Sequence, residues 1–342
     1  MHDRNFMGRS PAEGYRLGIV NPLTLIGREL SEVLAQRSFP YAGIELIDTG
    51  GEAAGTLTEL DAGASVVTPA TQHSFADLDL VFFCGTAEKN EPWIARYREE
   101  PFVAIDLAQP NALVGDGLPV VAGVNADRIG DDTGLILSPH PIAVPLVLLI
   151  DRLRREFLIE LAAASVIRPA SEFDQKGIDE LFQQTIQVLN LESYPTDVFD
   201  RQTAFTAYPP ADAPMIERYA SAQVRSILGS GIPFSLQLTQ GPLFHSHVIS
   251  LFVVLKEPAG EREVLSALAR SEGVFVPAQD ETYTSVDAAG QDELLVGRVS
   301  RDEGNPRGLW IWAAADNLRR SAALNAVMIA ESLVSRFGPK PN

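Results

Sequence analysis

The sequence predicts an α/β protein in two parts, a doubly wound, mostly parallel sheet followed by an α+β domain with a mixed sheet. Three observations predict this class. Short β-branched runs alternate with helical periods from Arg16 onward, which is typical of a parallel sheet with helices on both faces. After about Ser138, the pattern changes to amphipathic helices and longer strands with alternating apolar and polar residues. The length of 342 residues favours two domains at about 150 residues each.

The first part contains six strand candidates and one early helix. Arg16–Val20 opens the series, and a helix is predicted from about Gly27 to Arg37 because Leu30, Val33 and Leu34 repeat at helical spacing. The remaining strand candidates are Ile44–Asp48, Ser65–Thr68, Leu80–Cys84, Phe102–Asp106 and Leu135–Leu137.

The second part begins with the apolar run Pro141–Ile150, which predicts a buried helix because it is far shorter than the roughly 20 residues that a bilayer needs. Predicted strands follow at Ala164–Arg168, Phe234–Gln240, His247–Leu255, Val296–Ser300 and Leu309–Ala314. Predicted helices lie at Ser171–Asn190, Ala213–Leu228 and Asn317–Arg336. The first of these helices is expected to carry one apolar face formed by Ile178, Leu181, Phe182, Ile186 and Leu189.

Composition excludes several classes of function. The chain has 27 Lys and Arg against 45 Asp and Glu, and a net charge of −18 repels phosphate backbones and anionic lipid surfaces. We therefore expect no nucleic-acid or membrane partner. One cysteine excludes an internal disulfide and a Cys-based zinc site. Met1–Tyr15 has no apolar run typical of a secretory signal, so we expect a cytoplasmic protein.

Four segments carry a family resemblance: Leu118–Asn125, Asp200–Pro209, Val296–Asp302 and Gly308–Val334. In this order they resemble the aspartate-semialdehyde dehydrogenases, and the last of them matches that family's strand, its Asp-Asn-Leu-Arg turn and its small-residue helix. The resemblance implies a Rossmann-type dinucleotide-binding domain, residues 1–137 with the C-terminal helix 316–342. It also implies a dimerisation and substrate domain at 138–315, and hence a homodimer.

Enzymes of this family reductively dephosphorylate aspartyl phosphate, using a cysteine that forms a thioester, a histidine acid/base and NADPH. Here the segment Ser138-Pro139-His140-Pro141 matches the nucleophile turn, and Pro141 occupies the position of the cysteine. Proline has no nucleophilic atom, so the first chemical step lacks its reagent. Cys84 ends a predicted strand elsewhere and is expected to be a small buried residue.

The other site positions implied by the resemblance have changed too. His247 occupies the acid/base position, where a base without a nucleophile has nothing to activate. Gln240 occupies the position of the arginine that holds the substrate carboxylate, and Gln223 that of the glutamate that holds its amine. Arg168 occupies the position of the glutamine near the nucleophile. The flexible glycines that follow are replaced by Ser171-Glu172-Phe173-Asp174, which predicts a capped helix start.

The glycine-rich turn after the first strand now reads Asn21-Pro22-Leu23-Thr24-Leu25-Ile26-Gly27. Only Gly27 is retained, with Thr24 as the second candidate for cofactor contact, and side chains occupy the place of a phosphate. A phosphate-binding arginine is also replaced within Leu107–Asn111. The resemblance implies NADP, and these changes predict weak binding or none.

These losses predict a catalytically degenerate family member with a non-enzymatic or altered role, and the pattern resembles the Usg-type paralogues that lack the cysteine. Two alternatives stand beside it. One is a working NADP-dependent aspartate-semialdehyde dehydrogenase. The other is a metal- or other ligand-binding cleft that uses His140, His245 and His247, since His245 and His247 are two residues apart on a predicted strand and would share one face.

Overall fold

The computed structural model describes residues 14–60, 63–108, 117–229, 231–278, 281 and 283–337. The chain divides into two units, Met1–His140 with Ala322–Asn342, and Pro141–Ser321. The boundaries predicted from the sequence were 137/138 and 315/316. Within the described residues no helix is long and apolar enough to cross a membrane.

The first unit is built on a parallel sheet. Its strands are β1 (Tyr15–Val20), β2 (Tyr41–Asp48), β5 (Thr68–Pro69), β6 (Leu80–Phe83), β7 (Val103–Asp106), β8 (Leu118–Pro119) and β9 (Leu135–Leu137). They are ordered β5-β2-β1-β6-β7-β9-β8, and all these pairings are parallel. The hairpin β3 (Leu57–Leu60) and β4 (Gly63–Val66) stands apart from the sheet. The helices are α1 (Leu25–Gln36), α2 (Ala87–Ile94) and α7 (Leu324–Phe337).

Alternate side chains of the central strands enter two different cores. Leu17 and Ile19 join the core that includes α1 and α7, while Val81 and Phe83 join the opposite core. Because both faces are buried, the strands are continuously apolar, as a doubly wound sheet requires. The predicted fold class of this unit is confirmed. The predicted strand Ser65–Thr68 is wrong, because its residues are divided between β4 and β5.

The second unit is built on a mixed sheet. Its strands are β10 (Ile159–Arg168), β11 (Phe234–Gln240), β12 (His247–Leu255), β13 (Val274–Phe275), β14 (Leu294–Arg301) and β15 (Gly308–Ala315). The order is β11-β10-β12-β15-β14-β13, with parallel pairs at both ends and antiparallel pairs between them. The helices are α3 (Ala143–Arg154), α4 (Asp174–Leu189), α5 (Ala213–Leu228) and α6 (Glu261–Ala269). The mixed sheet confirms the second half of the predicted fold class.

Helix α4 buries only part of the face that its apolar pattern predicts. Leu181 is a core residue, as expected, whereas three other apolar positions are 44% to 70% exposed: Phe182, Ile186 and Leu189. Glu180 and Gln184 are buried instead, and the Glu180 carboxylate accepts the N–H groups of Val198 and Phe199. Polar contacts with the loop after α4 therefore favour an orientation different from the predicted one.

The final predicted helix, Asn317–Arg336, consists of two pieces. A π-helical turn at Arg319–Ala323 precedes α7, which runs from Leu324 to Phe337. The boundary between the two units falls within this turn, at Ala322.

Candidate functional site

The loop after β1 in the first unit is held by its own side chains. Thr24 caps α1, since its Oγ1 accepts the Gly27 N–H at 3.1 Å and donates to the Asn21 carbonyl at 2.9 Å. A Cβ at Gly27 would lie 2.7 Å from the carbonyl oxygens of Asn21 and Pro22, so only glycine fits here. Both candidate cofactor residues, Thr24 and Gly27, thus have structural roles within the loop.

Asn21 joins the loop after β1 to the loop after β6. Its φ of 55° is in the left-handed region, which asparagine adopts more readily than most residues. Its Nδ2 donates to the Cys84 carbonyl at 3.0 Å and to Asn90 Oδ1 at 2.9 Å. Its Oδ1 accepts the backbone N–H and the hydroxyl of Thr49, at 3.1 and 3.0 Å. Sequence reasoning missed Asn90 and Thr49, which lie outside the glycine-turn motif.

This junction lies where the order of the sheet reverses, because the chain builds outward from β1 first on one side, through β2, and then on the other side, through β6. In open α/β sheets a ligand binds at the carboxyl ends of the strands beside this switch point. Here buried amide groups of Asn21 and Asn90 connect the two loops that would flank such a ligand.

Cys84 is fully buried and free, as predicted. Burial, with a smaller contribution from the negative charge of Asp106, raises the pKa of its thiol, so the reactive thiolate is disfavoured. Burial also raises the pKa of Asp106 to about 7, although a hydrogen bond from the Ala108 N–H opposes the change. The predicted loss of a phosphate-binding arginine concerns Leu107–Asn111, of which residues 109–111 lie outside the described part of the chain.

Pro141 is buried in the turn before α3, two residues ahead of the first helical residue, Ala143. The buried helix predicted from Pro141 therefore begins two residues later, at Ala143. His140, also buried, belongs to the first unit, whereas Pro141 opens the second.

Arg168, at the end of β10, is the centre of a closed polar network. Its Nε donates to Gln240 Oε1 at 2.9 Å, and its two terminal nitrogens donate to the carboxylate oxygens of Asp212 at 2.9 and 3.2 Å. The guanidinium lies over the ring of Phe173, 4.6 Å from its centroid. The register of β10 and β11 places Arg168 directly opposite Gln240, which explains their contact.

Gln240 is itself saturated by this network. Its Nε2 donates to the carbonyls of Arg168 and Gly241, both at 3.1 Å, and it is fully buried. The structure thus joins two of the predicted site positions, Arg168 and Gln240, to each other. Asp212, the counter-ion, was missed because it lies 44 residues from Arg168, just before α5. Gln223, a third predicted position, is buried on the inner face of α5.

His247, the first residue of β12, pairs with Glu172. Its Nε2 lies 2.8 Å from Glu172 Oε2, and the imidazole is fully buried. Because a carboxylate only accepts, Nε2 carries the proton, and Nδ1 has no hydrogen-bond partner among the described residues. Glu172 lies in a 3₁₀ turn at Ala170–Phe173, and α4 begins after it with no side-chain cap. The capped helix start predicted for this segment is wrong.

The backbone beside His247 is fixed by Asn317, a residue of the Asp-Asn-Leu-Arg motif. Asn317 Oδ1 accepts the Ser171 hydroxyl at 3.0 Å and the Ser246 N–H at 3.1 Å. Ser246 has a φ of 69°, so the strand begins only after it. His245 therefore does not share a strand face with His247, and that expectation is wrong. Across the described residues, no group of three His, Cys, Asp or Glu side chains could hold a metal ion.

Comparisons with known proteins agree with this architecture. A family profile described as "Semialdehyde dehydrogenase, dimerisation domain" matches residues 153–320. The aspartate-semialdehyde dehydrogenase of Rickettsia bellii is 26% identical over 334 residues, covering 94% of this chain and 98% of the relative. The USG-1 protein homolog of Pseudomonas aeruginosa is 28% identical over 334 residues, with the same coverage. A solved structure of a probable aspartate-semialdehyde dehydrogenase from P. aeruginosa superposes with a TM-score of 0.89 at 28% identity, covering 95% and 99% of the two chains.

Proposed function

We propose that this chain is a member of the aspartate-semialdehyde dehydrogenase family that keeps the fold and has lost the family's reaction, since it is similar to such proteins over nearly its whole length. The observation that carries the proposal is Pro141 at the position of the nucleophile. Acyl transfer through a thioester needs a thiolate, and proline offers no atom that can attack. The alternative thiol, Cys84, is buried, and its raised pKa keeps it protonated.

The hydrogen bonds of the remaining site residues support the same proposal. Nε2 of His247 is paired with Glu172, so proton transfer to a substrate would first require that pair to break. The Arg168 guanidinium is neutralised by Asp212, and Gln240 bonds to Arg168. A substrate carboxylate entering here would have to displace Asp212 from a bidentate pair. These polar groups bind each other, and the arrangement favours a structural role for them.

The first unit offers a poor fit to NADP, the cofactor that the resemblance implies. Pro22 has no N–H to offer a phosphate, and the Asn21 side chain bridges the two loops that would flank the pyrophosphate. The Thr24 hydroxyl is used within the loop. We therefore propose no hydride-transfer step in this chain.

The proposal is tested by incubating the pure protein with aspartate semialdehyde, phosphate and NADP while following absorbance of the reduced cofactor. We expect no turnover above buffer, since loss of a nucleophile costs several orders of magnitude in rate. A Pro141→Cys variant should stay inactive. Arg168 and Gln240 would still bond to each other instead of to substrate, and Glu172 would still occupy Nε2 of His247. Turnover by wild-type protein prepared from a host lacking its own dehydrogenase would overturn the proposal.

A homodimer is part of the proposal. The matched region carries the name of a dimerisation domain, and closed twofold dimers are the commonest protein assemblies. On the sheet of the second unit, Trp310 is 41% exposed and packs against Phe252 with ring centroids 4.7 Å apart. We propose that this sheet forms the dimer interface.

The oligomeric state tests this part of the proposal. Sedimentation velocity should give twice the monomer mass for the wild-type protein, and a Trp310→Glu variant should give the monomer mass. A monomeric wild-type protein would contradict it.

We also propose a cytoplasmic location, which cell fractionation would test.

A further inference from the structure

A buried arginine in the turn before α7 lacks a hydrogen-bond acceptor. Arg320 lies in the π-helical turn Arg319–Ala323 and is 3% exposed. Its Nε is buried without a partner, and within the described part of the chain its terminal nitrogens form no hydrogen bond or ion pair. Buried polar groups are almost always hydrogen-bonded, and a guanidinium has several N–H donors to satisfy. Turns of this kind are also frequent at functional sites.

Arg152, near the end of α3, is a second arginine with unsatisfied donors. Its side chain is 12% exposed, and its Nε is also buried without a partner. Its Nη1 lies 3.8 Å from Asp151 Oδ2. That carboxylate already accepts hydrogen bonds from Arg154 and Arg155, at 2.8 to 3.0 Å. Because one carboxylate is shared by three arginines, the charge of Arg152 is only partly neutralised.

The two arginines are close enough for their charges to interact. Burial and the charge of Arg152 lower the pKa of the Arg320 guanidinium to about 10, although nearby carboxylates oppose the change. Arg320 therefore stays positively charged at neutral pH. The loop after α6 passes close to this guanidinium, since a Cβ at Gly273, where φ is 73°, would lie 2.9 Å from Arg320 Nη2.

The carboxylates around Arg320 do not complete its hydrogen bonding. Asp292 is held by Arg319, whose Nε donates to its Oδ1 at 2.6 Å. Glu272 and Glu293 are exposed, where solvent and salt screen their charges. The interior side of the pair, where both Nε atoms are buried, thus has an excess of positive charge and of donors.

We propose that Arg152 and Arg320 together bind a small divalent oxyanion, to which we assign inorganic phosphate. A guanidinium fork matches two oxygens of such an anion, and two guanidiniums balance its two charges. Both arginines belong to the second unit. Arg152 lies about 14 Å along the axis of α3 from Ala143, so the site is separate from the position of Pro141. The proposal does not depend on the loss of the family reaction.

Titration of inorganic phosphate into the full-length protein tests the proposal, at an ionic strength kept constant with sodium chloride. We expect saturable binding with a Kd in the millimolar range or tighter, and an unfolding temperature that rises with phosphate concentration. Acetate and phenyl phosphate should bind at least about tenfold more weakly, because a monoanion leaves donors unpaired and the burial of Arg320 leaves little room for a substituent. Absence of saturable phosphate binding, or equal binding of either comparison probe, would overturn the proposal.

Two variants assign the binding to this pair. Arg152→Gln and Arg320→Gln should each weaken phosphate binding at least about tenfold, since each leaves a single guanidinium. The matched control is Arg218→Gln, an exposed arginine of α5 in the same unit, and its Kd should stay within about twofold of wild type because exposed charges are screened. If the control weakens binding as much as the two variants do, the attraction is nonspecific and the proposal is wrong.

Stability in chloride buffer separates ligand binding from a purely structural role. Without phosphate, Arg320→Gln should unfold at the same temperature as wild type or higher, because it removes a buried charge that has no acceptor. Phosphate should then raise the unfolding temperature of wild type alone. Arg152→Gln repeats the comparison at the less buried position. An equal phosphate-induced increase in both variants and wild type would contradict the assignment.

Discussion

The two units differ in the partners of the polar side chains at their candidate site positions. In the first unit an uncharged side chain, Asn21 in the loop after β1, bonds to the Cys84 carbonyl after β6, to Asn90 in α2 and to Thr49 after β2. In the second unit the partners are carboxylates: Asp212 forms an ion pair with Arg168, and Glu172 is hydrogen-bonded to His247. Amide groups match donors and acceptors without desolvating a charge, whereas a buried ion pair is stable only while both partners are present. The second unit should thus be the more sensitive to loss of one partner, and the first should respond to pH through Asp106.

The largest expected effect concerns Asp106 and pH. Its folded pKa of about 7 lies above the usual value of 3.8, so the folded state holds a proton that the unfolded state releases between about pH 4 and 7. Stability from this group is complete below pH 4 and is lost as pH rises through 7, by a few kcal/mol at about 1.4 kcal/mol per pKa unit. Urea unfolding of wild type and Asp106→Asn across pH 4–8 should show this loss in wild type alone. Parallel pH profiles would contradict the expectation.

The second prediction tests the ion pair of the second unit. Asp212→Asn leaves the buried Arg168 guanidinium without a counter-ion, and we expect a loss of about 2–3 kcal/mol in the free energy of unfolding. This figure is below the loss of about 3–5 kcal/mol for a fully buried pair because the Asp212 side chain is 38% exposed. Urea denaturation measures the loss. The matched control, Glu192→Gln at an exposed position, should change stability by less than about 0.5 kcal/mol. If the two variants are equally stable, the pair has no structural role.

The smallest effect concerns Asn21. Asn21→Gly removes its hydrogen bonds and keeps the backbone conformation accessible, so we expect a loss of about 1–2 kcal/mol. Asn21→Ala should lower the free energy of unfolding by about 1 kcal/mol more than Asn21→Gly does, because alanine has a Cβ and the φ of 55° is unfavourable for it. Thermal unfolding of both variants separates the two contributions. If both variants match wild type, the neutral network does not stabilise the first unit.

The sequence predicts the elements whose pattern is local. Helix α5 and strands β11 and β12 have the predicted bounds, because the alternation of β11, the apolar run of β12 and the helical stripe that ends before Gly229 are visible along the chain. The orientation of α4 cannot be predicted from the sequence of the helix alone. Glu180 and Gln184 are buried because the loop at 195–204 presents backbone N–H and C=O groups to them, and the apolar pattern of the helix does not report that.

The candidate site divides in the same way. The expectation that Pro141 occupies the position of the nucleophile rests on one residue, and the expectation of an altered glycine turn rests on the local run Asn21–Gly27. The partners of Arg168 and His247 come from segments far along the chain, Asp212 and Glu172, and only the fold brings them together. His245 was misplaced because the positive φ of Ser246 interrupts the alternation on which the prediction rested.

The contact between Arg168 and Gln240 limits the single substitutions that this part of the second unit can accept. Gln240 Oε1 lies 2.9 Å from Arg168 Nε, so an arginine at position 240 would place a second guanidinium against the first. Removing the Arg168 side chain would instead leave Gln240 Oε1 without its donor in a fully buried position. The two residues are therefore coupled, and a change at one is tolerated best when the other changes with it.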